Sequence, residues 1–194
     1  MTSEAEAGVS FAVPTAAQMR ALGRSLAALL RAGDLVILSG GLGAGKTTLT
    51  QGIGDGLGVR GPITSPTFVI ARVHPPAARP GDGPGAAAAS LADPRPPLVH
   101  ADAYRLGSSL ELDDLDLDTD TAASVTVVEW GEGLAEGLSA DRLEITLTPE
   151  RAGPADGRDL ADTPGDRPRT VRISAVGERW EGVKLPLASP ADRL

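Results

Sequence analysis

The chain has 194 residues, 41% apolar, enough for the core of a single domain, and only 3% aromatic, so aliphatic side chains must build that core. A formal charge of −8 argues against gripping nucleic acid by phosphate neutralisation alone, and the lack of cysteine removes disulfides, thiolate nucleophiles and cysteine-bound zinc. No apolar stretch approaches the ~18 residues of a membrane span, and the acidic amino terminus lacks a secretory signal's basic start, so a cytoplasmic protein with no membrane role is expected.

In chain order, residues 9–13 read as a short strand. Pro14-Thr15 then opens a helix with Met19, Leu22, Leu26, Leu29 and Leu30 on one face, closed by Gly33. Residues 34–39 have a fully apolar centre, the pattern of a strand buried on both faces. A glycine-rich turn leads into a helix from about Lys46 to Leu57. Further strands are expected at 67–73, 98–102, 125–129, 143–148 and 170–176, with helical stretches between 107 and 123 and near 131–138. Two segments rich in proline, glycine and alanine, 74–97 and 149–168, read as loops or hairpin extensions inside one domain spanning 1–194, and the end from about Pro186 reads as a tail. Strands alternating with helices predict an α/β fold with a mixed, mostly parallel sheet flanked by helices.

Gly40-Gly41-Leu42-Gly43-Ala44-Gly45-Lys46-Thr47 fits the phosphate-loop pattern G-x-x-x-x-G-K-[ST]. Its glycines let successive backbone N–H groups turn inward toward phosphate oxygens. Lys46 brings a mobile charge for the β- and γ-phosphates, the Thr47 hydroxyl can ligate Mg²⁺, and the helix that starts here adds its positive end. Among 18 basic residues only Lys46 and Lys184 are lysine, so Lys46 stands out against the arginine-rich background. The buried strand before the loop and the amphipathic helix after it make a chance match the weaker reading. The expected P-loop NTPase site holds a nucleotide triphosphate with residues Gly41 to Thr48.

Such a loop also needs an acid for the metal and a group to orient water, supplied from the carboxyl ends of neighbouring strands. Asp102 ends one aliphatic strand and Glu129 another. In a chain with 26 acidic residues some fall at strand ends by chance, but both of these follow the loop in the expected order. Asp55-Gly-Leu-Gly58 and Asp82-Gly-Pro-Gly85 match the D-x-x-G switch of GTPases, yet neither follows a strand, and no [NT]-K-x-D base reader exists. A small-molecule kinase and a nucleotide-sensing module without turnover stay open as alternatives.

The ordered set of Gly43-Ala-Gly-Lys-Thr-Thr48, Thr64-Ser-Pro-Thr-Phe68, His100-Ala-Asp-Ala-Tyr-Arg-Leu106 and Val128-Glu-Trp130 resembles the bacterial TsaE (YjeE) family. These are small ATPases required for threonylcarbamoyladenosine synthesis on tRNA. The resemblance runs from about Val13 to Trp180, and three of the five aromatics fall inside its motifs. It implies Lys46, Asp102 and Glu129 as catalytic residues and Thr47 with Glu129 as ligands of Mg²⁺. Asp102 would position water or act from behind the metal. Thr64, Ser65, Pro66, Thr67 and Phe68 would form a mobile switch, and Trp130 would matter for activity, although a core or partner-facing role is as compatible with its composition. His100 and Tyr104 are equally readable as scaffold around Asp102. The implied partners are TsaB and TsaD, with tRNA met through their complex, and the implied cofactors are ATP and Mg²⁺. Two departures stand out: Gly41 replaces the family's usual aspartate, and Met19 stands where threonine is frequent.

Overall fold

Leu35, Val36, Ile37 and Leu38 give a strand with no polar face, and such a strand needs cover on both sides. The computed structural model describes residues 8–66, 71–77, 95–106, 121–150 and 167–186, and it supplies that cover. The elements are β1 (Val9–Val13), α1 (Ala16–Ala27), β2 (Leu35–Ser39), α2 (Lys46–Leu57), β3 (Ala71–His74), β4 (Leu98–Asp102), β5 (Val125–Glu129), β6 (Arg142–Pro149) and β7 (Arg169–Val176). One seven-stranded sheet has the order β1-β7-β6-β2-β5-β4-β3. Its four central strands, β6, β2, β5 and β4, are parallel; β3 on one side and β7 and β1 on the other are antiparallel additions. The mixed α/β sheet of a P-loop NTPase-like fold is thus present.

Val36 and Leu38 point to the face covered by α1 and α2, where Met19, Leu22, Leu26, Leu49, Ile53 and Leu57 complete the main core. Leu35 and Ile37 point the other way and pack with Val99, Ala101, Val128 and Ala135. Thr15 starts α1 with a reciprocal cap: its hydroxyl accepts from the Gln18 N–H at 3.2 Å, and the Gln18 side-chain oxygen accepts from the Thr15 N–H at 3.1 Å. α1 and α2 approach closely because Gly23 faces Gly52; a Cβ on Gly23 would lie 2.7 Å from the Gly52 backbone. Glycine in mid-helix costs about 1 kcal/mol against alanine, and here that close packing offsets it.

The structure differs from the sequence reading at three places. The first helix ends at Ala27, well before Gly33, which instead has φ +88° and donates to the Ser124 carbonyl. The helix expected near 131–138 is a turn followed by one 3-10 turn at Glu136–Leu138. Gly131 wedges against Val128 and Ile37, and Gly133 has φ +78°, which breaks a helical run. β3 extends to His74, assigned from sequence to the first loop; His74 is buried and pairs with Leu98, and Pro76 bridges to Val59. The remainder of both loops (78–94 and 151–166), the helical stretch at 107–120 and the tail from 187 lie outside the described residues.

Candidate functional site

In a parallel sheet the carboxyl ends of adjacent strands lie together, and register decides which side chains meet there. Here Glu129 is the register partner of Leu38 on one side and of Asp102 on the other. The two acids therefore sit side by side at the edge where β2 runs into the glycine-rich loop. Residues Leu42, Gly43, Gly45, Lys46, Thr47, Thr48, Ser65, Asp102, Tyr104, Glu129 and Trp130 line one cavity of about 420 Å³.

Gly45 caps α2 with φ +104°, and a Cβ there would lie 2.6 Å from the Arg169 guanidinium, so only glycine serves. The turn delivers Lys46 and Thr47 onto the first turn of the helix, facing the acids. The Lys46 ammonium donates to the carbonyls of Gly40 (2.8 Å) and Gly41 (3.0 Å) and lies 3.6 Å from the centre of the Trp130 ring. Burial pushes its pKa below the ordinary value, while the Glu129 and Asp102 carboxylates push it back up. Trp130 reaches the ammonium from a left-handed backbone, φ 61°, the one positive-φ residue other than glycine among those described. A conformation of that kind costs on the order of 1–3 kcal/mol. It is held by the Trp130 N–H donating to the Leu38 carbonyl at 2.8 Å and by the Tyr104 ring 5.0 Å away.

The Thr47 hydroxyl donates to Glu129 Oε2 at 3.1 Å, and His100 Nε2 lies 2.8 Å from Glu129 Oε1. The Ser65 hydroxyl donates to Asp102 Oδ2 at 3.0 Å, and Asp102 Oδ1 accepts from the Tyr104 N–H at 3.0 Å. A hydroxyl and a carboxylate oxygen side by side are hard donors suited to Mg²⁺, which takes one or two protein oxygens and completes its shell from phosphate and water. Beside them are the Lys46 ammonium and the amino end of α2, whose positive end complements a polyphosphate.

The sequence-derived residues do not all converge. Lys46, Thr47, Thr48, Leu42, Gly43, Gly45, Asp102, Glu129, Trp130 and Ser65 line the cavity. Gly41 does not; its carbonyl serves Lys46 and a Cβ there would meet nothing, so the turn has room for a side chain at this position. Ala44 is buried in the core. Thr64 stands beside the cavity, accepting from Arg72 at 3.3 Å, and Pro66 is buried. Thr67 and Phe68 lie outside the described residues. Met19 is fully buried between α1 and the sheet, which makes it a core residue and not part of the cavity. For Tyr104 and His100 the sequence leaves scaffold and site equally open; Tyr104 lines the cavity and His100 holds Glu129. Their spacing within H-x-D-x-Y was the available signal.

The model of the family described as Threonylcarbamoyl adenosine biosynthesis protein TsaE matches residues 13–158. A Streptomyces coelicolor protein named tRNA threonylcarbamoyladenosine biosynthesis protein TsaE is 56% identical over 163 residues, 84% of this chain and 93% of that one. The protein of the same name from Bacillus subtilis is 34% identical over 165 residues, 84% of each chain. The crystal structure of Bacillus subtilis YdiB superposes with a TM-score of 0.60 at 29% identity, covering 92% of this chain and 93% of that one.

Proposed function

The chain belongs to the TsaE family of tRNA threonylcarbamoyladenosine biosynthesis proteins, and from that premise we propose that it binds ATP with Mg²⁺ at loop 40–47 and hydrolyses it to drive or reset a TsaB–TsaD transferase complex. The observation that carries this reading is the meeting of Lys46, Thr47, Asp102 and Glu129 around one cavity at the carboxyl edge of the sheet. Backbone N–H groups of residues 41–48 cradle the phosphates, and Lys46 exchanges its carbonyl partners for β- and γ-phosphate oxygens. Thr47 and Glu129 would hold Mg²⁺, which supplies neutralising charge at those phosphates. Asp102, fixed through both oxygens, accepts a hydrogen bond from the attacking water and orients it. The Ser65–Asp102 bond couples segment 64–68 to that acid, so the segment serves as a switch that reads the γ-phosphate. Trp130 shields the ammonium and registers its displacement.

Activity is weak alone and stimulated by the partners, in the cytoplasm. tRNA is engaged through the complex, as suits a chain of charge −8. The test is ATP turnover with and without TsaB, TsaD and tRNA, following free phosphate. Asp102→Asn should keep nucleotide binding and lower turnover by about 10²–10⁴-fold. Lack of stimulation by the tRNA-loaded complex would sink the coupling. A phosphorylated small molecule in place of free phosphate would instead identify a kinase, and binding without turnover would identify a sensing module.

A further inference from the structure

His100 is fully buried on β4, two residues before Asp102, and does not reach the cavity. Its Nε2 lies 2.8 Å from Glu129 Oε1, while its Nδ1 is buried with no hydrogen-bond partner among the described residues. A buried bare lone pair costs less than a buried N–H with nothing to donate to, so the ring proton belongs on Nε2, pointing at Glu129. The two oxygens of Glu129 are thus divided: Oε1 accepts from His100 beneath the site, and Oε2 faces Thr47 in the cavity. A glutamate has three side-chain torsions, and without the imidazole the Thr47 hydroxyl would be the one hydrogen-bond partner left to this carboxylate among the described residues. We infer that His100 is a positioning residue that fixes the Glu129 carboxylate so that Oε2, with Thr47 Oγ1, forms a preset seat for the nucleotide's divalent cation. The inference rests on the proposed Mg²⁺–nucleotide reading. Its general warrant is that hydrogen-bond partners of metal-ligating carboxylates typically contribute 10–100-fold to metal affinity.

The experiment reads the metal directly. Mn²⁺ binding to the protein–ADP complex is titrated by electron paramagnetic resonance, and ADP binding in EDTA is measured by calorimetry. In His100→Leu, Mn²⁺ affinity should fall about 10–100-fold, with metal-free ADP affinity unchanged. His100→Gln, whose amide N–H reaches the Nε2 position, should recover most of the loss; His100→Asn, which reaches only the Nδ1 position, should not. In a Glu129→Gln background, His100→Leu should add nothing. Should the leucine variant fail to fold, the glutamine and asparagine pair carries the comparison. Equal Mn²⁺ affinity in wild type and the leucine variant overturns the inference, as does equal affinity in the glutamine and asparagine variants. A wild-type protein that binds ADP with no metal overturns the Mg²⁺ reading itself, and the inference with it.

Discussion

At the amino end of β2, Asp34 is buried and closed off; at the carboxyl end, Lys46 and Glu129 are as deeply buried but held differently. Asp34 accepts from Arg179 Nε at 3.2 Å and Nη2 at 3.0 Å and from the Arg31 N–H at 2.9 Å, and Arg179 also donates to the Leu29 carbonyl at 2.8 Å. This bidentate pair ties the end of α1 to the segment after β7. Lys46 meets carbonyls and an aromatic ring, and Glu129 meets a hydroxyl and an imidazole. A charge paired to its opposite serves the fold, because either partner alone would be stranded. A charge held by neutral groups can exchange them for a ligand with little loss. Burial alone therefore does not separate a structural charge from a functional one; the partners do.

Breaking the closed pair gives the largest change in stability. Arg179→Ala leaves Asp34 buried without its partner and should cost about 3–5 kcal/mol in denaturant unfolding, with ATP turnover per folded molecule unchanged. A cost under 1 kcal/mol would erase the contrast. Lys46→Met at the open end should go the other way: unfolding free energy equal to wild type or higher by about 0.5–2 kcal/mol, as at sites where function opposes stability. Calorimetry on the same variant should show loss of ATP binding.

The smallest effect sharpens the comparison at a third buried group. Burial, and then the neighbouring His100, holds the His74 imidazole below its ordinary value. The unfolded chain takes up this proton near pH 6.5 and the folded chain only at lower pH. This group therefore lowers stability as pH falls below about 6.5, and the loss levels off below the folded-state value. Against His74→Leu, wild type should show an extra slope no steeper than about 1.4 kcal/mol per pH unit in that window. Parallel stability curves would show that His74 does not titrate differently on folding.

Much of the candidate site is legible in the sequence because its motif is local. The loop 40–47 is one continuous pattern, and an acid ending an aliphatic strand marks the carboxyl edge. Asp102 and Glu129 could be paired with the loop by order alone. The helix expected near 131–138 does not form because Gly131 packs tightly against Val128 and Ile37 and Gly133 takes φ +78°. His74 opens a run rich in proline and alanine that reads as a loop, yet its own backbone pairs with Leu98. Gly41 and Ala44 belong to the same contiguous motif, but the Gly41 carbonyl turns to Lys46 and the Ala44 methyl into the core, because in a tight turn successive residues face different ways.

The amino-acid order by itself determined the glycine-rich loop 40–47, the strand and helix around it, and the acids that end two later strands, since these depend on spacing within a few residues. Tertiary structure alone decided that Glu129 stands in register with both Leu38 and Asp102, that Trp130 takes a left-handed backbone to cover Lys46, and that His100 reaches Glu129 from the neighbouring strand. Each of those depends on strand order and register, which bring together residues far apart in the chain.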